Sequence, residues 1–102
     1  MIKLVEVKKI NEYNLTERKT ETLYQLDEIW INPDSILQIK ADSTMKHNLL
    51  SGHLPNKMDE RQEFSKILFG TGNNVSLVTV IGSAEMVAEK IYKSPSRVLL
   101  KG

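Results

Sequence analysis

Residues 75–93 read VSLVTVIGSAEMVAEKIYK, and this stretch changes character halfway along. From Val75 to Ile81 nearly every residue is apolar or β-branched. That is the pattern of a strand covered on both faces, and therefore central in its sheet. Gly82 and Ser83 end it. Ser83 carries the short side-chain oxygen that caps a helix, and Glu85 stands in the first turn, where the helix dipole favours negative charge. Ala84, Val87, Ala88 and Ile91 then recur at helical spacing, which puts them on one face. Lys90 and Lys93 lie near the end and Ser94-Pro95 stops the run. The spacing predicts a helix over residues 83–93 held to the sheet by Val87 and Ile91.

Upstream, Phe64, Ile67, Leu68 and Phe69 mark a strand over residues 63–70, and Gly70-Thr71-Gly72-Asn73-Asn74 has the composition of a tight turn. Residues 2–10 interleave Ile2, Leu4, Val5, Val7 and Ile10 with lysine and glutamate, which reads as a first strand. Residues 11–22 are polar and read as a connection, with a helical turn over 15–18. Residues 23–31 form a second strand, with Tyr24, Leu26 and Trp30 on one parity and Leu23, Ile29 and Ile31 on the other. Trp30, between Ile29 and Ile31, is expected to be largely buried. Asn32-Pro33-Asp34-Ser35 is a turn, because proline presets its own φ and Asn or Asp bonds back to the backbone. Residues 36–40 follow as the second arm of a hairpin. Residues 41–62 keep no period and read as a long irregular segment, and residues 97–101 suit a short edge strand. The expected fold is α+β: a small antiparallel sheet or partly open barrel of about five strands with one C-terminal helix, forming a single domain over 1–102.

The 102 residues suit one domain, and 40% hydrophobic with 26% charged residues is ordinary globular usage, which argues against disorder. There is no cysteine, so disulfides, thiolate nucleophiles and sulfur-ligated zinc are excluded. Charges interrupt the first nine residues, MIKLVEVKK, so they do not read as a signal peptide. No run approaches the ~18 apolar residues of a membrane span. These features point to a cytoplasmic protein without a membrane partner. A net charge of +1 creates no overall field for nucleic acid.

Two stretches, Asn32-Pro33-Asp34-Ser35-Ile36-Leu37-Gln38-Ile39 and Val80-Ile81-Gly82-Ser83-Ala84-Glu85-Met86-Val87-Ala88-Glu89-Lys90-Ile91, resemble the FlbD/SwrD-type small proteins of bacterial flagellar operons. That family pairs an Asn-Pro-Asp-x-Ile turn with a last strand running into a Ser-x-Glu-x-Val helix. The resemblance implies a small sheet closed by a C-terminal helix and a non-enzymatic accessory role. The chain departs from the family in its N-terminal strand and in residues 41–62, which stand where the family has a short hairpin. The flagellar role is not carried over.

The residues offer little chemistry. His47 and His53, with Asp42, Asp59 and Glu60 nearby, contain the donors of a two-histidine, one-carboxylate site for zinc or iron. The spacing fixes no geometry in an irregular segment, and solvated histidines are the simpler reading. Gly70-x-Gly72 lacks the Gly-Lys-Ser/Thr ending of a P-loop and the third glycine of a dinucleotide site. No Gly-x-Ser-x-Gly occurs. No cofactor, metal or catalytic residue is therefore assigned, and the protein is read as not an enzyme. Residues 43–58 are the candidate partner-binding segment, through Met45, Lys46, His47, Leu49, Leu50, His53, Leu54, Lys57 and Met58. Met45, Leu49, Leu50, Leu54 and Met58 keep helical spacing interrupted by Gly52 and Pro55, and methionine with leucine makes an adaptable binding surface. The same set also reads as a lid that completes the core, and the two readings stand together. The expected function is that of a small non-enzymatic regulatory protein that binds another protein. Usage rich in Lys, Ile, Asn and Glu suits a phage or mobile-element accessory or inhibitor protein. The alternative is a nucleic-acid-binding module using the loop at 40–61, with Lys46, Lys57 and Arg61 on phosphates and Tyr24 and Trp30 as stacking surfaces.

Overall fold

The computed structural model describes residues 1–52, 54 and 58–93. The chain opens with strand β1, Ile2–Asn14, and returns as β2, Lys19–Ile31. The two pair antiparallel along their whole length, from Ile2↔Ile31 to Asn14↔Lys19. Residues 15–18 make the turn, with Arg18 left-handed at φ 52°, as four-residue hairpin loops commonly require near their end. The polar connection expected over 11–22 is thus mostly strand. A two-stranded ribbon pairs its inner backbone groups and leaves the outer ones to water, so polar residues such as Thr20 and Thr22 serve it without a core-facing stripe. Thr22 even donates its hydroxyl across the ribbon to Asn11 Oδ1, at 3.3 Å.

After β2, a 3-10 turn, Pro33–Ser35, is held by the Asn32 carbonyl and by the Asn32 side chain, which accepts from the Asp34 N–H at 3.0 Å. The turn does not fold the next strand back on β2. Strand β3, Ile36–Ala41, instead pairs with β4, Phe64–Thr71. The expected hairpin of residues 23–31 with 36–40 is therefore absent, because this turn carries the chain to the far edge of the sheet. Between them lies helix α1, Ser43–Leu50, inside the segment read as irregular. Its N-cap is Asp42, whose carboxylate accepts from the Met45 N–H at 2.9 Å. Strand β5, Asn74–Ile81, pairs with β4 through a two-residue turn in which Gly72 takes φ 56°. Gly70, at φ 139°, sits so close to the Asn74 carbonyl that a Cβ would collide with backbone. Helix α2, Ala84–Tyr92, closes the described chain, capped by Ser83 Oγ on the Met86 N–H at 3.1 Å.

The result is the α+β architecture expected: an open, five-stranded antiparallel sheet in the order β2-β1-β5-β4-β3. β5 is central, as its largely apolar and β-branched run predicts, but only its second half is covered, and Val75 and Leu77 are exposed. Among the described residues there are two helices rather than one, and they cover opposite faces. The stretch 97–101, read as an edge strand, lies outside the described residues.

Side chains alternate along a strand, and the two cores follow that parity. On one face Ile2, Leu4, Ile31, Ile67 and Val80 are buried with Val87 and Ile91 of α2. On the other, Val7 and Phe64 are buried with Leu49 of α1 and Leu54 beyond it. The α2 face is the larger, and Val87 and Ile91 hold it as their spacing predicts. Ser65 is fully buried and donates its hydroxyl to the Gly82 carbonyl at 2.7 Å, tying the start of β4 to the end of β5.

Neither core reaches the far part of the ribbon. β1 and β2 have 13 residues each, which at about 3.4 Å per residue is roughly 44 Å. Their last buried apolar residue on β1 is Val7. The radius of gyration is 15.8 Å, against about 13 Å for a compact chain of similar length, and the projecting ribbon accounts for the excess.

Candidate functional site

Among the described residues of segment 43–58, the apolar ones other than Leu50 pack into the second core. Leu49 and Leu54 are buried, and Met45 and Met58 are half-buried against the same cluster. Lys46 is committed internally: its ammonium donates to the carbonyls of Glu60 at 2.6 Å and Gln62 at 2.8 Å, and lies 3.4 Å from the Glu63 carboxylate. His47 and Leu50 face solvent. His53 and Lys57 lie outside the described residues. Of the nine candidate contact residues, the apolar anchors Leu49 and Leu54 are thus not available to a partner. A helix that pairs its apolar side with an otherwise bare sheet face gains more from that burial than from display to solvent.

Two of the groups considered for chemistry, Asp42 and Asp59, are likewise occupied. Asp42 is 3% exposed. One carboxylate oxygen caps α1 and the other accepts from the Thr79 hydroxyl at 2.7 Å. Its buried charge is satisfied by hydrogen bonds, as burial demands. Asp59 forms a two-point pair with Arg61, at 3.1 Å to Nε and 2.8 Å to Nη2. The Arg61 guanidinium, and then its backbone N–H, hold the Asp59 carboxyl below the usual carboxylate range, and the Arg61 guanidinium is raised in return. Among the described residues no three His, Cys, Asp or Glu side chains are placed to share a metal ion, and no helix is long and apolar enough to cross a membrane. A groove of about 260 Å³ between β3 and α2 is lined by Ile36, Leu37, Gln38, Ile39, Ala88, Ile91 and Tyr92.

The residue that stands out is Trp30. It is 62% exposed, so the expectation of burial is overturned. The reason is strand parity: Ile29 and Ile31 face the α2 core, so the side chain between them must face away. On that opposite face α1 meets β2 at mid-strand, away from Trp30, where Asn48 Nδ2 donates to the Tyr24 hydroxyl at 3.0 Å. Leu26, Glu28 and Trp30 continue the same side of β2 with Leu26 40% exposed. Lys3 stands directly across from Trp30, and Val7 from Leu26. β2 is also an edge strand among the described residues, so its outer backbone groups face outward beside this row. The signal was present in the parity of Tyr24, Leu26 and Trp30; the apolar neighbours obscured it. Comparison of the chain with known protein families, curated proteins and solved structures gives no match.

Proposed function

We propose that this is a small non-enzymatic regulatory protein that binds another protein, and that its docking surface is the outward side of β2 around Trp30 rather than residues 43–58. The observation that carries the reading is a tryptophan 62% exposed on an edge strand. An exposed large aromatic is costly to solvate and supplies the kind of anchor that dominates protein interfaces. Leu26 extends the apolar surface, and Lys3 and Glu28 give it a charged rim. Such an interface needs no cofactor.

The test compares capture from host extract by the wild-type protein and by Trp30→Ser, with and without nuclease. A protein retained by the wild type after nuclease, and lost with Trp30→Ser at unchanged thermal stability, supports the reading. Equal capture by both removes Trp30 from the interface. Capture that disappears with nuclease assigns the surface to nucleic acid instead.

A further inference from the structure

The distal half of the same edge carries a second, separate message. There, beyond both cores, Ile10 and Leu23 face each other across the ribbon on the α2 side, with Leu23 45% exposed. One step nearer the core, on the same side, the pairing sets Gln25 opposite Lys8, and then Asp27 opposite Glu6, a like-charge juxtaposition that weakens a lone ribbon. Lys19 also points to this side and is engaged only at the surface, 3.0 Å from Glu17 with both side chains more than half exposed. An isolated two-stranded ribbon is marginal in water and gains from a third strand.

We propose that a second copy of this chain supplies that strand: two β2 edges pair antiparallel about a two-fold axis at Leu23, joining the sheets of both copies into one. A two-fold strand pair must match residues of equal parity, because alternate residues direct their N–H and C=O groups outward. That restricts the centre to a residue facing its own twin. Centring on Asp27 or Glu28 sets identical charges together, centring on residue 21 sets Lys19 opposite Leu23, and centring on Tyr24 sets Lys19 opposite Ile29. Centring on Gln25 places Leu23 against Asp27, and centring on Leu26 or Thr22 makes no ion pair within the strands. The Leu23 centre sets Lys19 of each copy opposite Asp27 of the other, whose carboxylate faces Glu6 across its own ribbon and accepts from Gln25 Nε2 at 2.8 Å. It aligns Ile10, Leu23 and their twins in one apolar row across four strands. Extended past the strand end, the same register brings the tip of one ribbon, at Arg18, beside Glu28 of the other. The dimer uses the β2 edge over residues 19–27, while the Trp30 side chain lies on the opposite face of the sheet from Leu23, so a monomeric protein would overturn the dimer and leave the Trp30 reading standing.

Charge exchange tests both the pairing and its register. Lys19→Glu and Asp27→Lys each create two like-charge pairs in the dimer, and each should weaken self-association on the order of tenfold, read by sedimentation equilibrium. Mixed in equal amounts, the two variants regain opposite charges at every contact, so association should return to the wild-type level. The cysteine-free chain allows a second measurement. Leu23→Cys places two thiols about 4.5–5.5 Å apart between Cα atoms, within disulfide reach, so mild oxidation should yield a covalent dimer. Gln25→Cys, whose twin lies roughly 13 Å along the strand, should not. A wild-type monomer at all concentrations, a mixture that fails to regain association, or equal cross-linking of the two cysteine variants would overturn the proposal.

Discussion

Leu49 and Leu50 are neighbours in α1 with opposite environments, and exchanging each for alanine isolates what that helix contributes. Leu49 is 8% exposed and packed in the cluster of Val7, Leu54 and Phe64, whereas Leu50 is 60% exposed. Helix propensity is nearly the same for leucine and alanine, so it cancels in the comparison. Buried leucine-to-alanine changes cost about 2–5 kcal/mol, depending on how far the site collapses. The second core is small and lies at one side of the sheet, so its neighbours can relax, and Leu49→Ala should fall near ~2–3 kcal/mol. For a domain of this size each kcal/mol lowers Tm by about 4–8 °C, giving a fall of roughly 10–20 °C. Leu50→Ala should stay within about 0.5 kcal/mol. Thermal and urea unfolding followed by far-UV circular dichroism measure both. Equal effects of the two changes, or a neutral Leu49→Ala, would show that α1 does not cover the sheet. By the same logic, replacing residues 43–58 with a flexible Gly-Ser linker should unfold or severely destabilise the protein, because the linker leaves Val7 and Phe64 bare.

Three further outcomes follow from the geometry. Asp42→Ala removes the α1 cap and the acceptor of the Thr79 hydroxyl, for a loss of about 2 kcal/mol. In a double-mutant cycle with Thr79→Val, about 1 kcal/mol of that loss should appear as coupling, and strict additivity would deny the 2.7 Å contact. Gly70→Ala adds a Cβ against the Asn74 carbonyl at φ 139°, where only backbone movement relieves the clash; the urea midpoint should drop by the equivalent of about 2 kcal/mol or more. Asp59 should titrate by NMR below the ordinary carboxylate range because Arg61 stabilises its charged form. Its folded-state pKa is lowered, so any stabilisation from the pair is present above the ordinary range and lost as pH falls through the folded value. Arg61→Ala should move the Asp59 midpoint upward, and an unmoved midpoint would assign the shift elsewhere.

What the sequence determined by itself is what short stretches of chain can encode. The β5-to-α2 unit was legible because its apolar run, its Ser83 cap and the Val87–Ile91 spacing each act within a few residues. The Gly70–Asn74 turn was legible for the same reason, since glycine at positive φ is a local requirement. Two features were written locally but misread. Asp42 ahead of Ser43 was an available cap for α1, and the parity of Ile29 and Ile31 already turned Trp30 outward. Only the tertiary structure decided which elements meet. β3 pairs with β4 at the far edge rather than with β2, and nothing between residues 32 and 36 states this. Leu49 is core and Leu50 is surface because a sheet face needed covering, which is a property of strands distant in sequence. Lys46 is tied to carbonyls that arrive from residues 60 and 62, so its charge was spent by the fold and not by its neighbours. Local signals set which helices and turns form, because their hydrogen bonds close within a few residues. Exposure, and with it the surface left for a partner, depends on which distant elements bury one another.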